Sequence, residues 1–277
     1  MEDIQSLADD RKVHLEKVGI SKFRLPIMIL EQGVGYQHVS AESGLFVEVP
    51  SSVRGTHLSR FVEVLHEWAD RPVAHDDIRD LLNETRLRAG SLSAEADLSF
   101  LYFISKRAPV SGRAGVVDYQ CRFFGRVDDD GFRFEIDVRV PVATLCPCSK
   151  AISEYGAHNQ RAEVHVVIEP EREGFVWLED LIALVEAQAS CPVFSVLKRD
   201  DERWVTERAY ENPKFVEDVV RDTVLALDAL AGVRSFSVRC ESVESIHNHN
   251  AVASVGWTPS RAAAEDHDLV TVDALTP

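Results

Sequence analysis

The densest cluster of reactive side chains is Leu145-Cys146-Pro147-Cys148-Ser149-Lys150, followed closely by Ala157-His158-Asn159-Gln160-Arg161. A thiolate and an imidazole are ligands for Zn²⁺ or a similar ion, and thiolate character at neutral pH needs a metal or a nearby cation. One Cys-x-Cys pair without a second pair is not the spacing of a structural zinc finger. The competing reading is a pair of buried, inert thiols, against which Pro147 and the polar neighbours weigh. A second cluster, Glu241-Ser242-Val243-Glu244-Ser245-Ile246-His247-Asn248-His249-Asn250, offers carboxylates and imidazoles for metal binding or proton transfer, or simply a solvated polar turn. A third, Leu197 to Glu207, mixes both charge signs, with Glu217 further on. A carboxylate there can grip the planar N–H edge of a guanine or pterin, ligate a metal, or stay solvated. His14, His38, His57, His66 and His75 have no Cys or Glu pattern beside them and read as structural or surface residues.

These clusters lie between runs with a clear period. Phe132, Phe134, Ile136, Val138, Val140 and Val142 alternate with mostly charged residues, which predicts a half-buried strand ending just before Cys146. Tyr119, Cys121, Phe123 and Val127 form its hairpin partner across the acidic turn Asp128 to Gly131. Further strands are predicted at Leu25 to Leu30, Leu45 to Val49, Leu98 to Ile104, Ala162 to Ile168 and Phe236 to Glu241, with antiparallel pairing because one face is polar. The Glu241–Asn250 cluster then falls in a hairpin turn. Apolar residues at helical spacing mark helices at Leu58 to Leu65, Ile78 to Leu82 and Leu178 to Val185. A fourth helix is predicted to open with Asn212 as cap and Pro213 at its first position, and to stop before Gly232.

The order of elements is two strands, two helices and two strands, taken twice, which predicts an α+β fold built as a structural repeat. The expected division is an N-terminal extension over 1–19, modules over 20–128 and 129–257, and a tail or oligomer arm over 258–277. The chain of 277 residues carries 30 Lys and Arg against 46 Asp and Glu, a net charge of −16. Such a field repels polyanions and argues against a general nucleic-acid or acidic-membrane binder. No apolar run is long enough to span a bilayer, and the acidic start MEDIQSLADDRK does not read as a secretory signal, so a cytoplasmic, reducing location is expected. Five cysteines, an odd number, suit free thiols or metal ligands better than a disulfide framework. Dinucleotide, phosphate-loop and nucleophile-elbow glycine motifs are absent from the sequence.

The segments Leu145–Arg161, Leu197–Glu202, Ala209–Asp218 and Glu244–His249, together with Lys17–Pro26 near the start, resemble the prokaryotic type IB GTP cyclohydrolase I family. The resemblance spans about residues 10 to 257, with no departure at the motif positions. It implies a tunnelling fold of two tandem modules, each with antiparallel strands and two helices, that closes into barrels in a homotetramer with active sites between subunits. It implies conversion of GTP and water to formate and 7,8-dihydroneopterin triphosphate, the first step toward folate and other pterins. By motif position, the ligands of a divalent ion (Zn²⁺, Mn²⁺ or Fe²⁺) would be Cys146, His158 and Glu202, with Cys148 in a supporting place. Glu244 and His247 would be acid/base groups and Glu217 would hold the guanine edge. Lys150, Arg161, Lys198 and Arg199 are the triphosphate candidates by charge and position. Two rival readings are a tunnelling-fold nitrile reductase with a Cys nucleophile and NADPH, and a non-catalytic purine- or pterin-binding protein.

Overall fold

The computed structural model describes residues 5, 7–171 and 174–258, so the expected C-terminal tail lies outside the described residues apart from Thr258. In the first half of the chain, strands β1 (Leu15–Glu31) and β2 (Gly35–Val49) precede α1 (Leu58–Trp68), the short β3 (Pro72–Val73), α2 (His75–Ala89), β4 (Ala94–Arg107) and β5 (Ala114–Asp128). The second half runs β6 (Gly131–Leu145), α3 (Pro147–Ile152), β7 (Asn159–Pro170), α4 (Leu178–Ala187), β8 (Cys191–Pro192), α5 (Arg199–Glu211), α6 (Val216–Asp228), β9 (Val233–Ser242) and β10 (Ala251–Trp257). β1 begins at Leu15, so the last residues of the expected 1–19 extension already pair with β2, Leu15 opposite Val49 and Val18 opposite Val47.

The strands form one ten-stranded sheet in the order β10-β9-β7-β6-β5-β4-β2-β1-β3, with β8 paired to β6 off this path. Its long neighbours are antiparallel, as alternation with one polar face predicts. Alternate residues such as Leu98, Phe100, Phe123, Phe134, Ile136, Val164 and Val238 turn to the helix-covered face and form one continuous core. The opposite face carries cross-strand ion pairs: Arg24 with Glu42 at 3.0 Å, Arg122 with Asp97 at 2.8 Å and Arg139 with Glu163 at 3.0 Å. Gly125 lets α2 approach β5, because a Cβ there would stand 2.4 Å from Ile78 Cγ2. Gly131, at φ 115°, closes the β5–β6 turn together with an amide–carboxylate bond from Asp130 N to Asp128 Oδ1 at 3.0 Å.

Helix α4 fastens the two halves together. Glu186 accepts from Lys106 Nζ at 2.7 and 2.8 Å and from the Tyr119 hydroxyl at 2.8 Å, while Glu179 accepts from the Tyr102 hydroxyl at 2.6 Å. Burial, reinforced by these carboxylates, pushes both phenols far above their usual range, so they serve as donors. No described helix is long and apolar enough to cross a membrane.

Two local expectations change. Asn212 is not the cap of α6; it is the C-cap of α5, and its side-chain amide donates to Ala189 O at 2.9 Å. α6 opens instead at Phe215, whose amide donates to Asp218 at 3.0 Å, and the Lys214 amide bonds back to Leu145 O at 3.1 Å. The Asn-Pro pair is therefore a bend between two helices, since Pro213 disfavours helix at the residue before it. The charged stretch after Leu197 folds as a helix, α5, which its sparse apolar content conceals: only Asp201 and Ala209 along it are buried.

Candidate active site

β6 and β7 pair down to Leu145 opposite Asn159, and the ladder continues one step further, where the Cys146 amide donates to His158 O at 3.1 Å. The thiol and the imidazole therefore leave from adjacent strand ends. Pro147, at the first position of α3, turns the chain there, since its missing N–H costs nothing at a helix start. Ser149 ties the two ends together. Its amide donates to Cys146 Sγ at 3.4 Å, its hydroxyl donates to Cys146 O at 3.2 Å, and the same hydroxyl accepts from the His158 amide at 3.2 Å.

The β9–β10 loop closes over this rung. Ala162 pairs with Ser242, and continuing that register sets Arg161 opposite Val243 and Gln160 opposite Glu244. Both extra rungs are bonded: Val243 N donates to Arg161 O at 2.9 Å, and Gln160 Nε2 donates to Glu244 Oε1 at 2.8 Å. Ser245 Oγ lies 3.1 Å from His158 Nδ1. That contact occupies one ring nitrogen and leaves Nε2 as the ligating or proton-carrying atom. His247, at the exposed tip, stacks on His249 with ring centroids 5.1 Å apart.

The thiols separate into two groups. Cys121, Cys191 and Cys240 are buried, and burial pushes Cys191 up to about 11, Cys240 up to about 12 and Cys121 higher still, so all three stay protonated and inert. Cys146 is half-buried and Cys148 exposed. Of the two, only Cys146 is held on the His158 rung.

The family model described as type I GTP cyclohydrolase folE2 matches residues 1–253. The chain belongs to the type I GTP cyclohydrolase folE2 family. Curated relatives named GTP cyclohydrolase FolE2 include those of Geobacter sulfurreducens, 45% identical over 92% of this chain and 97% of the relative, and of Desulfovibrio desulfuricans, 47% identical with the same shares. Among solved structures, the uricase from Arthrobacter globiformis superposes with a TM-score of 0.52 at 6% identity, covering 92% of this chain and 96% of that one. A uricase from Bacillus fastidious gives 0.53 at 7% identity, covering 90% and 94%. At such identities the likeness shows the fold alone, and that fold is the tunnelling fold.

The remaining family-motif residues are dispersed over α3, α5 and α6. Lys150 Nζ bonds the Tyr210 carbonyl and sits 4.3 Å above the Tyr210 ring, which ties α3 to the end of α5. Glu217 is exposed in the first turn of α6, the helix that follows the Lys214–Leu145 contact. Lys198, Arg199 and Glu202 are exposed at the start of α5. Glu202 is therefore about 12 Å along the helix from Tyr210. Among the described residues, no three His, Cys, Asp or Glu side chains are gathered to hold a metal ion. The Cys146–His158 rung supplies a soft and a borderline donor suited to a divalent ion. Glu202 is not brought to it within the described chain.

Sequence reasoning assigned no role to Gln160, Ser149 or Ser245, although each lies inside a quoted motif. Nor does a role follow from the sequence for Asp201, which is fully buried among the charges of α5. Its carboxylate accepts from Val110 N, Ser111 N and Lys198 N, each at 2.8 Å, and from the Ser111 hydroxyl at 2.6 Å. Burial opposes the charge, but these bonds, the Ser111 hydroxyl foremost, outweigh it and hold the carboxyl well below its usual range. Asp201 thereby fixes the start of α5, and with it Glu202, against the β4–β5 loop.

Proposed function

We propose that the chain hydrolyses GTP to formate and 7,8-dihydroneopterin triphosphate, as the first step of folate and pterin formation, at a site built on the Cys146–His158 rung. Cys146, His158 and Glu202 would hold a divalent ion, Zn²⁺, Mn²⁺ or Fe²⁺. Such an ion, when bound, supplies Lewis acidity for a hydrolytic attack. Of the chain's own groups, Glu244, held by Gln160, and His247 at the exposed tip of the same loop would move protons at the purine ring. Glu217 would accept the N–H edge of guanine, and the exposed Arg161, Lys198 and Arg199 would face the triphosphate, with Lys150 lending charge beside Tyr210. Local cations of this kind allow an anionic substrate despite a net charge of −16.

A homotetramer with active sites between subunits fits the sheet, whose order runs from β10 to β3 with no pairing between its two ends among the described residues. Another chain would close these edges, and two tandem modules over 20–128 and 129–257 would meet their counterparts there. A soluble, cytoplasmic enzyme is the expected setting for the reduced thiols.

The observation that carries the reading is the shared rung of Cys146 and His158 with Glu244 and Ser245 folded over it. The test is turnover by purified protein under reducing conditions with Zn²⁺, Mn²⁺ or Fe²⁺. Formate release and a product that fluoresces after oxidation to a pterin are expected. No turnover with any of these ions overturns the reading, and NADPH oxidation with a deazaguanine nitrile in its place supports the reductase.

A further inference from the structure

Gln160 is the second residue of β7, at the end of the strand beside the Cys146–His158 rung, opposite Glu244 in the continued β7–β9 register. Its two amide atoms have opposite fates. Nε2 donates to Glu244 Oε1 at 2.8 Å, whereas Oε1 is buried and has no hydrogen-bond partner among the described residues. The reverse orientation would set the carbonyl oxygen against a carboxylate, so the electrostatics of the pair fix which way the amide points. A buried carbonyl without a partner is unfavourable, and such atoms in a native fold mark places where position is kept at the expense of stability. The Val243–Arg161 backbone bond and the Ser245–His158 contact lie on either side of Glu244, and among the described residues its side chain is bonded by Gln160.

We propose that Gln160 is the positioning residue for Glu244, its side-chain amide holding the Glu244 carboxylate in one orientation over the Cys146–His158 rung. The inference rests on the proposed role of Glu244 and adds to it the group that sets its geometry. A carboxylate that moves protons contributes through its placement as much as its basicity, so loss of the donor acts on the chemical step rather than on GTP binding.

The test compares Gln160→Met and the isosteric Gln160→Glu with Glu244→Ala, alone and combined with Gln160→Met, in metal-loaded enzyme. Expected for each Gln160 variant is a fall in kcat of about tenfold or more, with KM for GTP within about twofold. Bound metal per chain should match the parent and the melting temperature of Gln160→Met should not fall, since the unpartnered buried carbonyl is removed with the donor, which separates positioning from folding and from any effect on neighbouring His158. Gln160→Glu, which sets two carboxylates face to face, should melt lower. In the Glu244→Ala background, Gln160→Met should have no further effect, because the two act as one unit. Parental kcat in both Gln160 variants, or losses that multiply in the double variant, overturns the proposal while leaving Glu244 in place. Parental kcat in Glu244→Ala overturns the role of Glu244 and the proposal with it.

Discussion

Cys146 and His158 share the last rung between two neighbouring strands, the amide of the first donating to the carbonyl of the second at 3.1 Å. A cysteine and a histidine separated by the α3 turn are thus held side by side on backbone that the sheet makes rigid. Ser149, bonded to both, prevents the turn from drawing them apart.

This rung distinguishes the two cysteines of the motif. Cys146→Ala is expected to lose bound metal and GTP turnover together, whereas Cys148→Ala, altering an exposed side chain of α3, should keep metal near one per site. Metal content after gel filtration, read beside formate release, decides between them. Metal retained in Cys146→Ala and lost in Cys148→Ala would reverse the assignment.

The Ser245 hydroxyl beside His158 Nδ1 orients the imidazole from outside the proposed ligand set. Outer partners of ligating histidines typically contribute about 10- to 100-fold in metal affinity. Ser245→Ala should therefore bind Zn²⁺ about 10- to 100-fold more weakly in a chelator competition, with an unchanged melting temperature for the metal-free protein.

Asp201 anchors α5 through bonds that only a carboxylate can accept in full. Asp201→Asn should lower the melting temperature by several degrees at neutral pH, because an amide nitrogen would face backbone N–H donors. The folded carboxyl lies below its usual value of 3.8, so its stabilisation is complete above that value and fades as pH falls toward the lower folded one. The gap between parent and Asp201→Asn should accordingly be constant from neutral pH down to about pH 4 and narrow only below it. Thermal melts across that range give the answer.

The Lys106–Glu186 pair joins the halves with both side chains mostly buried, 14% and 11% exposed. Removing one partner strands the other. Lys106→Met should destabilise the protein by about 3 kcal/mol in urea unfolding, and adding Glu186→Gln should recover part of that loss.

The sequence alone determined much of the sheet. Alternation from Phe132 to Val142 or at Ala162 to Ile168 shows which residues face the core, because the pleat has a strict period of two and needs no knowledge of the partner strand. The nearness of Cys146 and His158 was also legible, since a short turn joins them. What tertiary structure decided was everything that depends on register and on distant partners. α5 is held by Asp201 reaching Val110 and Ser111, some ninety residues away, and not by an apolar stripe that periodicity reveals. Gln160 meets Glu244 only because β7 and β9 pair with Ala162 against Ser242, and one step of slip would send either side chain to the other face. Residue types and local spacing name the chemistry, but the alignment of strands far apart in the chain decides which groups can act together.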